Sequence, residues 1–148
     1  MHDLRAGLGN RMTKEFINPD ALPSWEEVFT QVVITHGATK TIYISGQVAV
    51  DKDKHLIGEG DIGAQAMQAF QNLKAAISAA GATVADVVKL NVYVKDYKPT
   101  DAALINEALR EHFPQKNLPA STWLGVQALA EEGFLIEVDA IVAVEQQA

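Results

Sequence analysis

Pro119-Ala120-Ser121-Thr122-Trp123-Leu124-Gly125-Val126, followed by Phe134-Leu135-Ile136-Glu137-Val138-Asp139-Ala140-Ile141, is the part of the chain that decides its fold. Both runs read as strands. The second alternates with period two: Phe134, Ile136, Val138, Ala140 and Val142 share one face, and Leu135, Glu137, Asp139 and Ile141 share the other. The apolar face belongs against a core. The opposite face sets two carboxylates among aliphatic neighbours, where each needs a partner or a ligand, so Glu137 and Asp139 are the first site candidates.

Working outward, Val87 to Val94 is another period-two run, with Val88, Leu90, Val92 and Val94 facing one way and Lys89, Asn91, Tyr93 and Lys95 the other. Pro99-Thr100-Asp101 then starts a helix, with Thr100 as N-cap, a buried stripe of Leu104, Ala108, Leu109 and Phe113, and a stop at Pro114. Ile62 to Ala80 has helical spacing through Met67, Phe70, Leu73 or Lys74, and Ile77, many alanines for close packing on a sheet, and Gly81 at its end. Gln31 to His36 and Thr41 to Ser45 flank Gly37-Ala38-Thr39-Lys40 and predict a hairpin. Gly46-Gln47 leads on to Val48-Ala49-Val50. The order ββ(β)αβαββ, with no repeat or linker, predicts an α+β domain of one sheet with both helices on one face. The other face, with Tyr43, Tyr93, Leu135 and Ile141 among polar residues, is too apolar for water and predicts a second subunit, with a small-molecule pocket at the boundary.

A chain of 148 residues is one domain long, and 48% hydrophobic with 21% charged residues is ordinary globular usage. The net charge of −7 and pI near 5.0 argue against a nucleic-acid binder. The absence of cysteine rules out disulfides, thiolate metal sites and cysteine nucleophiles, and fits a cytoplasmic protein. No apolar run reaches the roughly 20 residues of a membrane span. Residues 1–11 read as a mobile extension before a single domain, 12–148. His2, His36, His55 and His112 have no ligand spacing, so no metal and no cofactor is expected. Asp51-Lys52-Asp53-Lys54 reads as a solvated turn.

From Phe29 to Val144 the chain resembles the Rid family, also called YjgF or L-PSP proteins. The marks are Phe29-Thr30-Gln31-Val32-Val33, Tyr43-Ile44-Ser45-Gly46-Gln47, Ala79-Ala80-Gly81, Val88-Lys89-Leu90-Asn91-Val92-Tyr93-Val94-Lys95-Asp96, Leu118-Pro119-Ala120-Ser121-Thr122 and Ile136-Glu137-Val138-Asp139-Ala140. The resemblance implies a chorismate-mutase-like α+β subunit, a homotrimer with pockets at its interfaces, and hydrolysis of reactive enamines and imines such as 2-aminoacrylate to keto acid and ammonia. It carries a pocket position to Ser45 and to Asn106, and to Glu137 the task of positioning the attacking water. Phe29 stands where relatives place a tyrosine. Ser121 stands where the deaminase branch places a carboxylate-clamping arginine, and Trp123 where that branch has a small residue.

Each candidate also has a plainer reading. By spacing alone Glu137 is an interface carboxylate, Asp139 a structural acceptor, Ser45 a turn cap and Asn106 an exposed helix position. Trp123 reads either as a core or interface aromatic or as pocket lining, and Trp25 either as a lid or as an anchor of its loop. No Gly-x-Ser-x-Gly elbow surrounds Ser45. The combined expectation is a Rid-like homotrimer that binds a small carbonyl, imine or enamine compound around Phe29, Ser45, Asn106, Ser121 and Trp123. Glu137 is its catalytic residue if it hydrolyses the ligand. The rival is a non-catalytic metabolite-binding or stress-protective protein, and an endoribonuclease is a remote third.

Overall fold

A computed structural model describes residues 11–147, so most of the extension expected at 1–11 lies outside the described residues. The elements are β1 (Thr13–Ile17), β2 (Val32–His36), β3 (Thr39–Val48), α1 (Ile62–Ala79), a 3-10 turn (Val84–Asp86), β4 (Val87–Lys95), α2 (Asp101–His112), β5 (Ala120–Val126) and β6 (Ile136–Glu145). The main sheet has the order β3-β6-β4-β5, antiparallel except for the β4/β5 pair, which α2 connects. Both helices pack on one face, as α+β layering requires.

The core repeats the period-two reading. Leu90, Val92 and Val94 of β4 and Ile136, Val138, Ala140 and Val142 of β6 are buried against Phe70, Leu73 and Ile77 of α1 and Ile105 and Leu109 of α2. Ala66 and Ala69 let α1 approach closely, and Phe70 meets Phe113 edge-on with ring centroids 6.1 Å apart. The helix stripes are shifted from expectation: Met67 and Leu104 are exposed, and Gln65 and Ile105 are buried in their stead. In β4 a register irregularity between Val87 and Lys89 turns Val87 inward and leaves Val88 half-buried. Gly81 ends α1 with φ +79°, and the Ala82 N–H to Ile77 and Gly81 N–H to Ser78 bonds complete a Schellman motif. Thr100 stands at the N-cap of α2 but its side chain makes no capping bond; Asp101 accepts from the Lys98 N–H.

Two expectations need correction. The sheet is not single: β1 and β2 form a separate two-stranded ribbon. The predicted hairpin also fails, because β2 pairs with β1 while β3 pairs with β6. Thr30, just before β2, is bonded to the carbonyls of Leu118 and Pro119 at the start of β5, whereas Thr39, opening β3, pairs with Glu145 at the far edge of the sheet. Those edges are three strand spacings apart, about 15 Å. The segment between them crosses the strand ends and cannot run alongside β3. No described helix is long and apolar enough to cross a membrane.

A cavity at the β5 edge and a carboxylate on the open face

Parallel register places Ser121 beside Leu90 and Trp123 beside Val92, so both side chains share the helix-covered face of β5. There they meet the first turns of α2. Ala102, Ala103 and Asn106, together with Val28, Phe29, Trp25 and Tyr97, complete a cavity of about 570 Å³. That volume suits a small ligand. The two Thr30 bonds to the start of β5 hold Phe29 at its wall, and the Trp25 carbonyl accepts the N–H groups of Val28 and Phe29 at 2.8 and 2.9 Å. Trp25 is therefore both a turn anchor and a cavity wall. Trp123 likewise packs on the core and lines the cavity.

The walls carry a polar signature. Asn106 Oδ1, Ser121 Oγ and Trp123 Nε1 are buried and have no hydrogen-bond partner among the described residues. Buried polar atoms are normally paired, and these three belong to residues that line one cavity. Tyr97 was absent from the sequence reading. The chain leaves β4 through Asp96 at φ +48°, and Gly125 lies so close to Tyr97 that an added Cβ would stand 3.0 Å from the tyrosine Cβ. Only the isolated Gly125 in a strand, a mark of close approach, pointed there.

Ser45 and Glu137 are elsewhere. Glu137 pairs with Tyr93 and Val48, and alternation puts it on the open face with Asp139, Tyr93 and Tyr43. The β3/β6 register shifts between Ile44 and Gln47, a bulge that carries Ser45 and Gly46 past the β6 ladder. Gly46 is what admits the carboxylate: a Cβ there would lie 2.5 Å from Glu137 Oε2 and 2.6 Å from its Cδ. Asp139 is the structural acceptor expected, taking the Asn91 amide at 2.9 Å, and Lys89 bridges to Thr122 at 2.8 Å. Burial first, and then the charges of Asp139 and Glu137, raise the Tyr93 hydroxyl pKa above that of a free tyrosine. Tyr43, on the edge strand β3, is 77% exposed on this face.

Gly46→Ala is expected to push the Glu137 carboxylate out of place, because the tail of Glu137 moves more easily than the strand. The measured outcome would be a loss of about tenfold or more in any Glu137-dependent turnover, with a thermal midpoint close to that of the unmodified protein. Unchanged turnover would show that Gly46 does not set the carboxylate position.

Of the six site candidates, Phe29, Asn106, Ser121 and Trp123 are thus gathered in one cavity, while Ser45 and Glu137 occupy the opposite face of the sheet. Two other places attract attention. A hollow between β1 and β6 is walled by Lys14, ion-paired to Asp86 at 3.8 Å, and by Arg11 and Glu145. Asp51, Asp53 and His55 cluster near one another, but Asp51 already accepts the N–H groups of His55, the larger effect, and of Asp53, which lowers its pKa and makes the cluster a self-bonded turn.

Comparison with known proteins adds a family. The Endoribonuclease L-PSP family model matches residues 20–144. A 2-iminobutanoate/2-iminopropanoate deaminase of Dermatophagoides farinae is 35% identical over 105 residues, 71% of this chain and 79% of its own. A RutC family protein of Pyrococcus abyssi is 34% identical over 130 residues, covering 88% and 97%. Among solved structures, YyfB of the Rid protein family from Yersinia pestis superposes with a TM-score of 0.83 at 36% identity, over 88% of this chain and 98% of that one.

Proposed function

This chain belongs to the Rid (endoribonuclease L-PSP) family, and from that premise we propose that it is a homotrimer that binds a small imine, enamine or carbonyl compound at its subunit interfaces and hydrolyses the imine. The observation that carries the reading is the division of the site residues. One protomer offers a cavity with orphaned polar atoms at Asn106, Ser121 and Trp123, and the same protomer offers Glu137 on the other side of its sheet. A site needing both halves draws them from two copies, and a closed ring repeats that junction at every interface. The open face, with Tyr43 exposed on its edge strand, is the surface a neighbour would cover. The named deaminase relatives favour imine hydrolysis over the binding-only and ribonuclease alternatives.

In this reading the ligand lies among Phe29, Asn106, Ser121 and Trp123, and the Glu137 carboxylate of the adjacent copy orients a water toward the C=N carbon and takes its proton. The Ser45 hydroxyl holds a polar atom of the ligand from the Glu137 side. Where the deaminase branch uses an arginine, Ser121 supplies a single neutral hydroxyl, which forfeits a bidentate charge-assisted contact.

The test is ammonia release from freshly generated 2-aminoacrylate and 2-iminobutanoate. Weak acceleration that disappears in Glu137→Ala is expected, together with a gain of about tenfold or more in Ser121→Arg as the carboxylate regains a cation. Background rates from both the unmodified protein and Ser121→Arg would reject hydrolysis of these imino acids.

A further inference from the structure

We infer that the cavity at the β5 edge selects an uncharged ligand with a flat apolar body and one neutral group that both accepts and donates a hydrogen bond, a C=N–H or a carboxamide, so that aromatic imines are preferred over 2-imino acids as its substrates. This rests on reading the cavity as the substrate-binding half of the site.

Charge comes first. None of the described residues lining the cavity carries a charge at neutral pH: beside Asn106 and Ser121 its walls are aromatic and aliphatic. A carboxylate entering it would lose water without gaining a counter-charge, in a chain whose net charge is already −7. Shape comes second. Both tryptophans of the chain, Trp25 and Trp123, line this cavity with Phe29 and Tyr97, and aromatic walls favour a planar apolar body. Hydrogen bonding comes third. Trp123 Nε1–H can only donate, Asn106 Oδ1 accepts, and the Ser121 hydroxyl does either. An imine matches that set: its nitrogen lone pair accepts from Trp123 or Ser121 while its N–H donates to Asn106. A carboxylate has only acceptors and would leave Asn106 Oδ1 unpaired.

The chemistry balances without a further reactant. Water oxygen adds to the C=N carbon as one water proton passes to Glu137 of the neighbouring copy, and Glu137 returns that proton to the nitrogen to give a carbinolamine. Glu137 then carries the remaining hydroxyl proton to the amino nitrogen as the C–N bond breaks, which expels ammonia and leaves the ketone or aldehyde.

Because both tryptophans line the cavity, intrinsic fluorescence reports on it directly. The protein would be titrated with benzamide and with benzoate, which share shape and differ in charge. Saturable quenching by benzamide is expected, with benzoate at least about tenfold weaker. Trp123→Phe, which keeps the ring and removes the donor, should weaken benzamide about three- to tenfold and leave toluene unchanged, with Trp25 still reporting. Ser121→Arg should reverse the preference toward benzoate. Equal or tighter binding of benzoate by the unmodified protein, or no saturable binding of either probe, would overturn the inference. Ammonia release from acetophenone imine is scored separately: selectivity for benzamide without turnover leaves the pocket assignment standing and removes hydrolysis, whereas turnover with equal benzoate binding removes the selectivity alone.

Discussion

Gln65→Leu is expected to lower unfolding free energy by about 3 to 5 kcal/mol, although it replaces a fully buried polar side chain by an apolar one of similar size. Gln65 is 0% exposed on the buried stripe of α1. Its Nε2 donates to the carbonyls of Gly58 at 3.1 Å and Gly133 at 2.9 Å, and its Oε1 accepts the Leu135 N–H at 2.9 Å. One side chain thus satisfies three backbone groups in two separate loops. Leucine would strand all three, and stranded backbone groups cost about 1 to 3 kcal/mol each when water cannot reach them. A domain of this size has only about 5 to 15 kcal/mol in total, so the thermal midpoint should fall by about 10 °C or more. Gln65→Glu, which keeps the acceptor for Leu135 but turns a buried carboxylate toward the Gly58 and Gly133 carbonyl oxygens, should be at least as destabilising at neutral pH. Chemical denaturation measures both, and a loss under about 1 kcal/mol for the leucine variant would show that the loops find other partners. The bond to Leu135 also fixes the entry to β6 two residues before Glu137, so turnover should fall with stability.

That role of Gln65 marks a limit of reading the chain by hydrophobic period. The period-two strands at Val87 to Val94 and Phe134 to Val142 and the two helices were readable because burial on one face repeats along each segment. A buried glutamine in an alanine-rich helix looks like any exposed one until the loops it joins are folded against it. The β1 strand was missed for a related reason. Thr13-Lys14-Glu15-Phe16-Ile17 is mostly polar, and its partners, β2 and the Lys14 contact with Asp86, are set by tertiary structure. The hairpin misreading came from treating neighbours in sequence as neighbours in the sheet, which the anchoring of Thr30 at the start of β5 prevents.

The candidate site shows the same boundary between what alternation specifies and what register specifies. Glu137 could be placed on a face because β6 alternates without interruption. In β5, Trp123 and Leu124 are adjacent and both large, so alternation alone does not say which of them meets the helices. Only the pairing of Ser121 with Leu90 and of Trp123 with Val92 puts them on the covered face, opposite Glu137. Residues grouped by resemblance to a family are therefore divided in space, and a site that used all of them would need a second copy.

Mixing two inactive variants is expected to restore activity, and this is the sharpest consequence of a shared site. Glu137→Ala removes the proposed base, for a loss of about a hundredfold or more in turnover of acetophenone imine. Ala103→Trp places an indole in the cavity from an exposed position on the first turn of α2, where it blocks the ligand without entering the core. Each homotrimer is then defective at every site. In a mixed ring, one junction joins an intact carboxylate from the Ala103→Trp copy to an intact cavity from the Glu137→Ala copy. Random assembly from equal amounts gives such a junction at about a quarter of all sites, so co-refolded protein should recover about a quarter of the unmodified rate. If the carboxylate and the cavity of a single protomer made up the site, every mixed assembly would stay inactive, because each copy carries one defect. A recovered rate indistinguishable from either variant alone, in material shown by native mass spectrometry to contain mixed trimers, would refute the shared site. Native mass spectra showing no trimer would refute the ring itself.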